Sequence, residues 1–211
     1  MFDRIKKYAN GCGGIDEDFE KHDMPKIFEK IYQTGLWVKY AKKEDANSLG
    51  GDGSGYGSDP ENNAEFLKKL TTIVEENNIQ SVVDFGCGSH YMYNDYTWPQ
   101  TVKEYIGYDV STTAVQRARK NCKHKCCKFE YLEDYDKINQ ADLLIVKDVF
   151  QHWPERFVVD FLEKNLYKYK HIVVCGNPQE TVNKEYFDWD WAEQLSYSEH
   201  QMFYKRVWRN W

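Results

Sequence analysis

The stretch Val82-Val83-Asp84-Phe85-Gly86-Cys87-Gly88 decides the fold of this chain. Apolar residues that end in an acid are typical of a short buried strand, and the two glycines predict a tight turn directly after it. Small residues in such a turn let the backbone approach a bound molecule closely. The sequence therefore predicts a ligand-binding turn at the carboxyl end of a buried strand.

A second strand also ends in an acid. Tyr105–Val110 is apolar apart from Asp109, and the carboxyl ends of adjacent strands in a doubly wound sheet face one crevice. A carboxylate there can accept hydrogen bonds from both hydroxyls of a ribose. The dinucleotide version of the pattern has a glycine at position 91, where this chain has Tyr91. We therefore expect an adenosine-type nucleoside without a pyrophosphate as the ligand, and not NAD.

Helical patterns and short apolar strands alternate along the chain. Apolar spacing, Pro25 at a first turn and Ser111 as an N-cap predict helices from Pro25 through Tyr32, over 62–77, after Ser111 and over 156–166. Further strands are expected over 127–132, 141–146, 171–175 and, antiparallel at the end, 202–208. This alternation predicts an α/β fold with a doubly wound, mostly parallel sheet and helices on both faces.

The first part of the chain differs from the rest. Residues 1–58 are expected to form a helical N-terminal extension and a glycine-rich loop, and 59–211 the ligand-binding domain. Gly50-Gly51-Asp52-Gly53-Ser54-Gly55-Tyr56-Gly57-Ser58 is incompatible with a helix or a regular strand. It is either a flexible linker or a loop whose N–H groups hold an anionic group. We predict that it orders over the ligand.

Composition excludes several classes of protein. With 28 basic and 34 acidic residues the net charge is −6, so nucleic acid is a disfavoured partner. No apolar run approaches the roughly 20 residues of a membrane span, and no secretory signal is recognisable after Met1. The 6 cysteines do not have the spacing of a disulfide framework. We expect reduced thiols and a cytoplasmic, reducing location.

The chain resembles the class I S-adenosylmethionine (SAM)-dependent methyltransferases. The resemblance rests on Val82–Gly88, on Tyr105–Ser111, on Phe129–Asp134 and on Ala141–Pro154, and it covers about residues 62–178. It implies a seven-stranded Rossmann-like domain that binds SAM and releases S-adenosylhomocysteine. Gly86, Cys87 and Gly88 would line the methionine part, and Asp84 would orient the turn and the amino group. Asp109 would bind the ribose and Val110 the adenine face, while Asp134, or alternatively Glu133, would contact the adenine amino group.

The segment after the fourth strand is expected to carry the chemistry. Methyl transfer is an in-line displacement, so an enzyme must align the nucleophile and remove its proton. His152 is the first candidate base, because histidine is both neutral and basic near pH 7. Asp148 is the competing base or a metal ligand, and Lys147 orients the substrate or the cofactor. The alternative is that His152 has only a structural role.

The acceptor is predicted from aromatic and loop residues. Trp37, Tyr56, Ser58 and Trp153 are the expected substrate-binding residues, and Trp98, Trp189 and Trp191 are further candidates. Trp37, the loop and the segment from Lys147 to His152 together resemble a branch of methyltransferases encoded beside glycan-building enzymes in bacteria and large DNA viruses. That resemblance implies O-methylation of a sugar hydroxyl. An RNA or nucleotide methyltransferase and a non-catalytic SAM-binding module are the alternatives.

A cysteine-rich run lies before the third strand. Cys122, His124, Cys126 and Cys127 suggest zinc, but the run is more compact than the two separated ligand pairs of a zinc finger. We therefore expect no metal. The basic residues beside it are interpreted as a solvated helix face, with RNA contact as the alternative.

Overall fold

The fold is described from a computed structural model, which covers residues 23–37, 53–176, 193–197 and 200–206. Of the two terminal strands, 193–197 and 200–206, only the backbone is described. The predictions for Trp189 and Trp191, and for the first residues of the glycine-rich loop, lie outside this part of the chain.

Within these residues, the strands form one seven-stranded sheet in the order β3-β2-β1-β4-β5-β7-β6. The strands are Ser81–Phe85 (β1), Glu104–Asp109 (β2), Cys127–Tyr131 (β3), Ala141–Lys147 (β4), Tyr169–Gly176 (β5), Glu193–Tyr197 (β6) and His200–Arg206 (β7). Strands β1 to β5 are parallel, whereas β7 pairs antiparallel with both β5 and β6. The predicted α/β fold with a parallel sheet is confirmed for β1 to β5.

Helices cover both faces of the sheet. They are Met24–Thr34 (α1), Ala64–Glu76 (α2), Thr112–Asn121 (α3) and Glu155–Asn165 (α4). The apolar sides of α1 and α4 pack into one core cluster, and those of α2 and α3 pack into the other. The central strands are buried on both faces, which explains why their sequences are continuous apolar runs.

The register of the sheet gathers the sequence motifs at one edge. Phe85 at the end of β1 pairs with Tyr108 of β2 on one side and with Val146 of β4 on the other. The residues that follow these three strands therefore leave the sheet side by side. The strand order reverses between β1 and β4, which is where doubly wound sheets bind their ligands.

Helix α1 belongs to the same core as the sheet. It begins with Pro25 in its first turn, as predicted, and ends at Gly35 in the left-handed conformation. Its buried residues pack with those of β1, β2 and β4 in one cluster. The domain boundary at residue 58 stays a prediction. Among the described helices, none combines the length and the apolar character that crossing a membrane requires.

Candidate cofactor and active site

The glycine turn is held by hydrogen bonds to the end of β2. Gly86 and Cys87 both donate their N–H to the carbonyl oxygen of Tyr108, at 2.8 and 3.0 Å. Gly88 donates its N–H to Oδ2 of Asp109 at 2.9 Å. Both glycines have positive φ, which explains why this turn needs glycine. The Cys87 side chain is buried in one core cluster, with its thiol 3.6 Å from the carbonyl oxygen of Gly88, and its contact with the cofactor stays a prediction.

Asp109 has the geometry expected of a ribose-binding acid. The residue is 8% exposed, and its carboxylate accepts one backbone N–H at each oxygen, from Gly88 and from Ser111. Each oxygen keeps a further acceptor position, enough for two hydroxyls. Burial raises the pKa of Asp109 to about 6, although the two N–H groups favour the ionised form.

Asp84 lies inside the core beneath the same turn. Its Oδ2 accepts a hydrogen bond of 2.6 Å from the Tyr105 hydroxyl. Burial raises the pKa of Asp84 to about 6, and that hydrogen bond and the positive charge of Lys147 oppose the change. The position fits the predicted role of orienting the turn, and direct contact with a ligand stays a prediction.

The described part of the glycine-rich loop packs onto the glycine turn. The Ser54 hydroxyl lies 2.6 Å from that of Ser89 and accepts the Ser89 N–H at 3.1 Å. The Tyr32 hydroxyl of α1 lies 3.1 Å from the same Ser54 oxygen. A Cβ on Gly88 would lie 2.7 Å from the Tyr32 hydroxyl oxygen and 3.0 Å from that of Ser54. The loop therefore contacts the glycine turn through Ser54, whereas its predicted ordering over a ligand stays a prediction.

Lys147 connects the same loop to the end of β4. Its ammonium group donates to the carbonyl oxygen of Gly57 at 2.9 Å and forms an ion pair with Asp148. Burial lowers the pKa of Lys147, but the neighbouring Asp148 carboxylate outweighs it, so the pKa is raised and the side chain is charged. Asp148 has a φ of 57°, in the left-handed region. Lys147 thus holds the loop in place, in addition to its predicted roles.

Glu29 is a site residue that the sequence did not reveal. From α1 it accepts hydrogen bonds from the Ser111 hydroxyl at 2.7 Å and from the Thr113 hydroxyl and N–H at 2.6 and 3.1 Å. Partial burial opposes its ionisation, but these hydrogen bonds outweigh burial and lower the pKa to about 2. Glu29 therefore links α1 by hydrogen bonds to the start of α3, which follows Asp109 in the chain. The role of Glu29 depends on the contact between residues 29 and 113, which are far apart in the chain, so no local sequence pattern indicates it.

His152 lies beside Trp37, outside the fully buried core. The two ring centroids are 5.6 Å apart with an angle of 34° between the planes, and the Phe28 ring is 6.0 Å from His152. Tyr56–Ser58 forms a short 3-10 turn, and the Ser58 hydroxyl donates to the carbonyl oxygen of Ser54. The structure thus brings the predicted base and one predicted aromatic wall together.

Two predicted pocket walls are wrong. Trp153 is 3% exposed and packs against Phe85, Phe150 and Phe161 in the core, so its ring is not accessible to an acceptor. Trp98 is buried as well, against Tyr93 and Tyr105. Indole rings fill cores as readily as they line pockets, and the sequence does not distinguish the two.

The predicted adenine-contacting residues lie after β3. Asp134 caps the 3-10 turn Tyr135–Lys137 and accepts the N–H of Asp136 at 3.2 Å. Glu133 is exposed, and Val110 is half-buried against the core. Their contacts with adenine stay predictions.

Comparisons with known proteins agree with this site. A family model described as "Methyltransferase domain" matches residues 83–164, which include the glycine turn, Asp109 and the end of β4. No curated protein matches the chain in a sequence search.

Solved structures share the fold at low sequence identity. Magnesium protoporphyrin IX methyltransferase (ChlM) from Synechocystis PCC 6803, solved with bound SAM, has a TM-score of 0.64 and 12% identity and covers 91% of this chain and 100% of its own. The methyltransferase domain of bacterial CtHen1-CN has a TM-score of 0.58 and 16% identity, covering 69% and 99%. The small RNA methyltransferase HEN1 has a TM-score of 0.58 and 17% identity, covering 70% and 25%.

The described residues fit SAM as the cofactor. The glycine turn allows close backbone approach, and Asp109 beside it has acceptor positions left for a ribose. Residues 83–164 thus match a methyltransferase domain model, and they lie in a fold that the chain shares with solved SAM-dependent methyltransferases.

Proposed function

We propose that this methyltransferase acts on a hydroxyl group of a sugar or glycan. The observation that carries the proposal is the contact between Trp37 and His152, which puts an aromatic face beside a candidate general base. Aromatic faces of this kind stack on the apolar faces of sugar rings, and a hydroxyl acceptor needs a base because it attacks slowly while protonated. A net charge of −6 suits a neutral acceptor better than a polyanion.

The chain's own residues would then share the work as follows. SAM, when bound, supplies the methyl group. Asp109 would hold the ribose, the turn from Gly86 to Gly88 would contact the methionine part, and Asp134 or Glu133 would contact the adenine. His152 would accept the proton of the attacking hydroxyl. Lys147 and Asp148 would hold the loop over the site and exclude water.

RNA is the second candidate acceptor, because two of the similar structures are Hen1 proteins and one of these is a small RNA methyltransferase. Part of the basic cluster around α3 is engaged within the fold. Both Nε and Nη2 of Arg119 donate to the carbonyl oxygen of Phe129, and Arg117 donates to that of Tyr32. Lys128 pairs with Glu104 at 2.8 Å. The neighbouring side chains of Lys120, Lys123 and Lys125 are exposed, so the choice between the two acceptors falls to the transfer experiment.

The test is transfer of a labelled methyl group. The purified chain is incubated with labelled SAM and a panel of glycans, nucleotides and RNA, and the product is analysed for O-linked label. We expect label on a glycan hydroxyl, with transfer about a hundredfold slower in the His152→Ala variant. Label on RNA would support the second candidate. Binding of SAM without transfer to any member of a broad panel would favour a non-catalytic binding module.

A further inference from the structure

The glycine turn is followed by a second cluster, which the proposed function does not use. His90 comes directly after the turn, Cys122 follows α3, and Cys127 begins β3. One ligand atom from each of the three side chains lies within 4.8 Å of the other two. Cys126 adds a fourth candidate, because its Sγ is 3.9 Å from that of Cys127. None of the five described cysteines forms a disulfide.

His90 is the member of the cluster that demands an explanation. It is 2% exposed, and neither ring nitrogen has a hydrogen-bond partner among the described residues. Its surroundings are largely apolar, with the rings of Tyr93, Tyr105 and Phe129 at 4.7 to 5.3 Å. Buried imidazole nitrogens are normally satisfied, because leaving them unpaired is costly. A metal ion between His90 and the thiols would supply a partner for one of these two nitrogens.

The spacing suits a tetrahedral zinc ion. With Zn–S bonds of about 2.3 Å and Zn–N bonds of about 2.0 Å, ligand atoms on one zinc lie roughly 3.5 to 3.8 Å apart. The separations among His90, Cys122 and Cys127, at most 4.8 Å, need only small side-chain movements to reach that geometry. Cys126 lies 3.9 Å from Cys127 but outside that set of three, so its thiol must turn further towards the ion. The sequence argued against zinc because the cysteine run lacks a distant partner. The fold supplies His90 as that partner.

We propose that His90, Cys122, Cys126 and Cys127 bind one zinc ion. With four protein ligands the site is closed, as structural zinc sites are, and it leaves no open position for catalysis. The ion would join the residue after the glycine turn to the connection between α3 and β3. It would also hold His90 in its left-handed conformation, with a φ of 61°. Zinc would thus stabilise the turn that the cofactor needs.

Metal content is the first test. The full chain is expressed without a metal-binding tag in zinc-supplemented medium, and the zinc content of the purified protein is measured by elemental mass spectrometry. We expect about one zinc per chain, with an X-ray absorption spectrum that shows sulfur neighbours at about 2.3 Å. His90→Ala, Cys122→Ser, Cys126→Ser and Cys127→Ser should each lose most of the metal. Cys175→Ala, a buried cysteine outside the cluster, is the matched control and should retain it.

A second measurement keeps the test decisive if the variants do not fold. The wild-type chain is stripped with a chelator and titrated with cobalt(II), which gives visible bands of a tetrahedral thiolate site if the ligands are as proposed. The proposed site would be overturned if the purified wild-type chain contained no zinc and the cobalt(II) titration gave no such bands. So would a native mass that shows a disulfide between two of these cysteines. Full zinc content in Cys126→Ser would overturn the assignment of the fourth ligand.

Discussion

The hydroxyl oxygens of Ser54 and Ser89 lie 2.6 Å apart, although 35 positions separate them in the chain. Together with the Tyr32 hydroxyl, this contact joins helix α1, the glycine-rich loop and the glycine turn into one hydrogen-bonded unit. A ligand that reaches the turn must contact this unit or displace it. We therefore expect the packing around Gly88 to affect both stability and cofactor access.

The first prediction separates packing from backbone strain at Gly88. Gly88 and Gly35 have nearly the same positive φ, 56° and 60°, so alanine should strain both by about 1 to 2 kcal/mol. A Cβ on Gly88 would also meet Tyr32 and Ser54, whereas one on Gly35 would have nothing within 4 Å. We expect Gly88→Ala to lose more stability than Gly35→Ala in urea unfolding, and to bind SAM at least about tenfold more weakly by calorimetry.

Gly35→Ala is the control, with SAM affinity expected to be unchanged. If the two variants bind SAM equally well, the contacts of Gly88 with α1 and the loop do not matter for the cofactor.

The second prediction concerns Asp109 and pH. Its carboxyl must be ionised to accept both ribose hydroxyls, and its pKa is raised from 3.8 to about 6. As the pH falls from 7.5 to 5, we expect SAM affinity to fall by about tenfold, because the carboxyl becomes protonated. Asp109→Asn should bind SAM weakly at both values and with a smaller pH dependence, as measured by calorimetry. An affinity for SAM that Asp109→Asn leaves intact would exclude Asp109 as the ribose ligand.

For folding alone the sign is opposite. An acid whose pKa is raised in the folded state reduces stability above that pKa, and this cost disappears below the unfolded value of 3.8. We therefore compare the free energies of unfolding of Asp109→Asn and wild type in the absence of SAM. The variant should fall below wild type by less at pH 7.5 than at pH 4.5.

The local sequence pattern predicted most of the sheet but few of the contacts around the glycine turn at its carboxyl edge. The strand from Ser81 and the acids Asp84 and Asp109 follow from apolar runs and their polar ends, because burial imposes a local composition. Glu29, Ser54 and His90 could not be predicted in the same way. Each acts through a partner more than 30 positions away, so the fold, not the neighbouring sequence, determines its role.

Trp153 shows the opposite failure. The sequence places it next to the predicted base His152, yet its ring turns into the core while the ring of His152 faces Trp37. Position along the chain predicts proximity to the site, but the direction of a side chain in an irregular segment depends on packing.

The third prediction tests the link between α1 and α3. The pKa of Glu29 is lowered to about 2, so its hydrogen bonds stabilise the fold fully above pH 4.5, and this contribution is lost as the pH falls towards 2. Glu29→Gln should cost about 1 to 2 kcal/mol in urea unfolding at pH 7. The difference from wild type should be the same at pH 5.5 and begin to shrink below 4.5. Glu65→Gln on the exposed side of α2 is the control and should change stability little. Equal effects of the two variants would show that the Glu29 contacts contribute nothing specific.

The last prediction assigns the base. His152→Ala should lower kcat by about a hundredfold at saturating SAM and leave SAM affinity nearly unchanged, because a general base contributes about 10² to 10⁴ to the rate. Asp148→Asn is the matched comparison, since asparagine tolerates the left-handed backbone at this position. Asp148 pairs with the buried Lys147, which also holds Gly57 of the loop. Its substitution should therefore lower stability and SAM affinity more than kcat. If Asp148→Asn instead abolishes turnover while His152→Ala is mild, the carboxylate is the base, and loss of activity on chelation would then test it as a metal ligand. If neither variant changes kcat, the site acts by alignment alone and the role proposed for His152 is wrong.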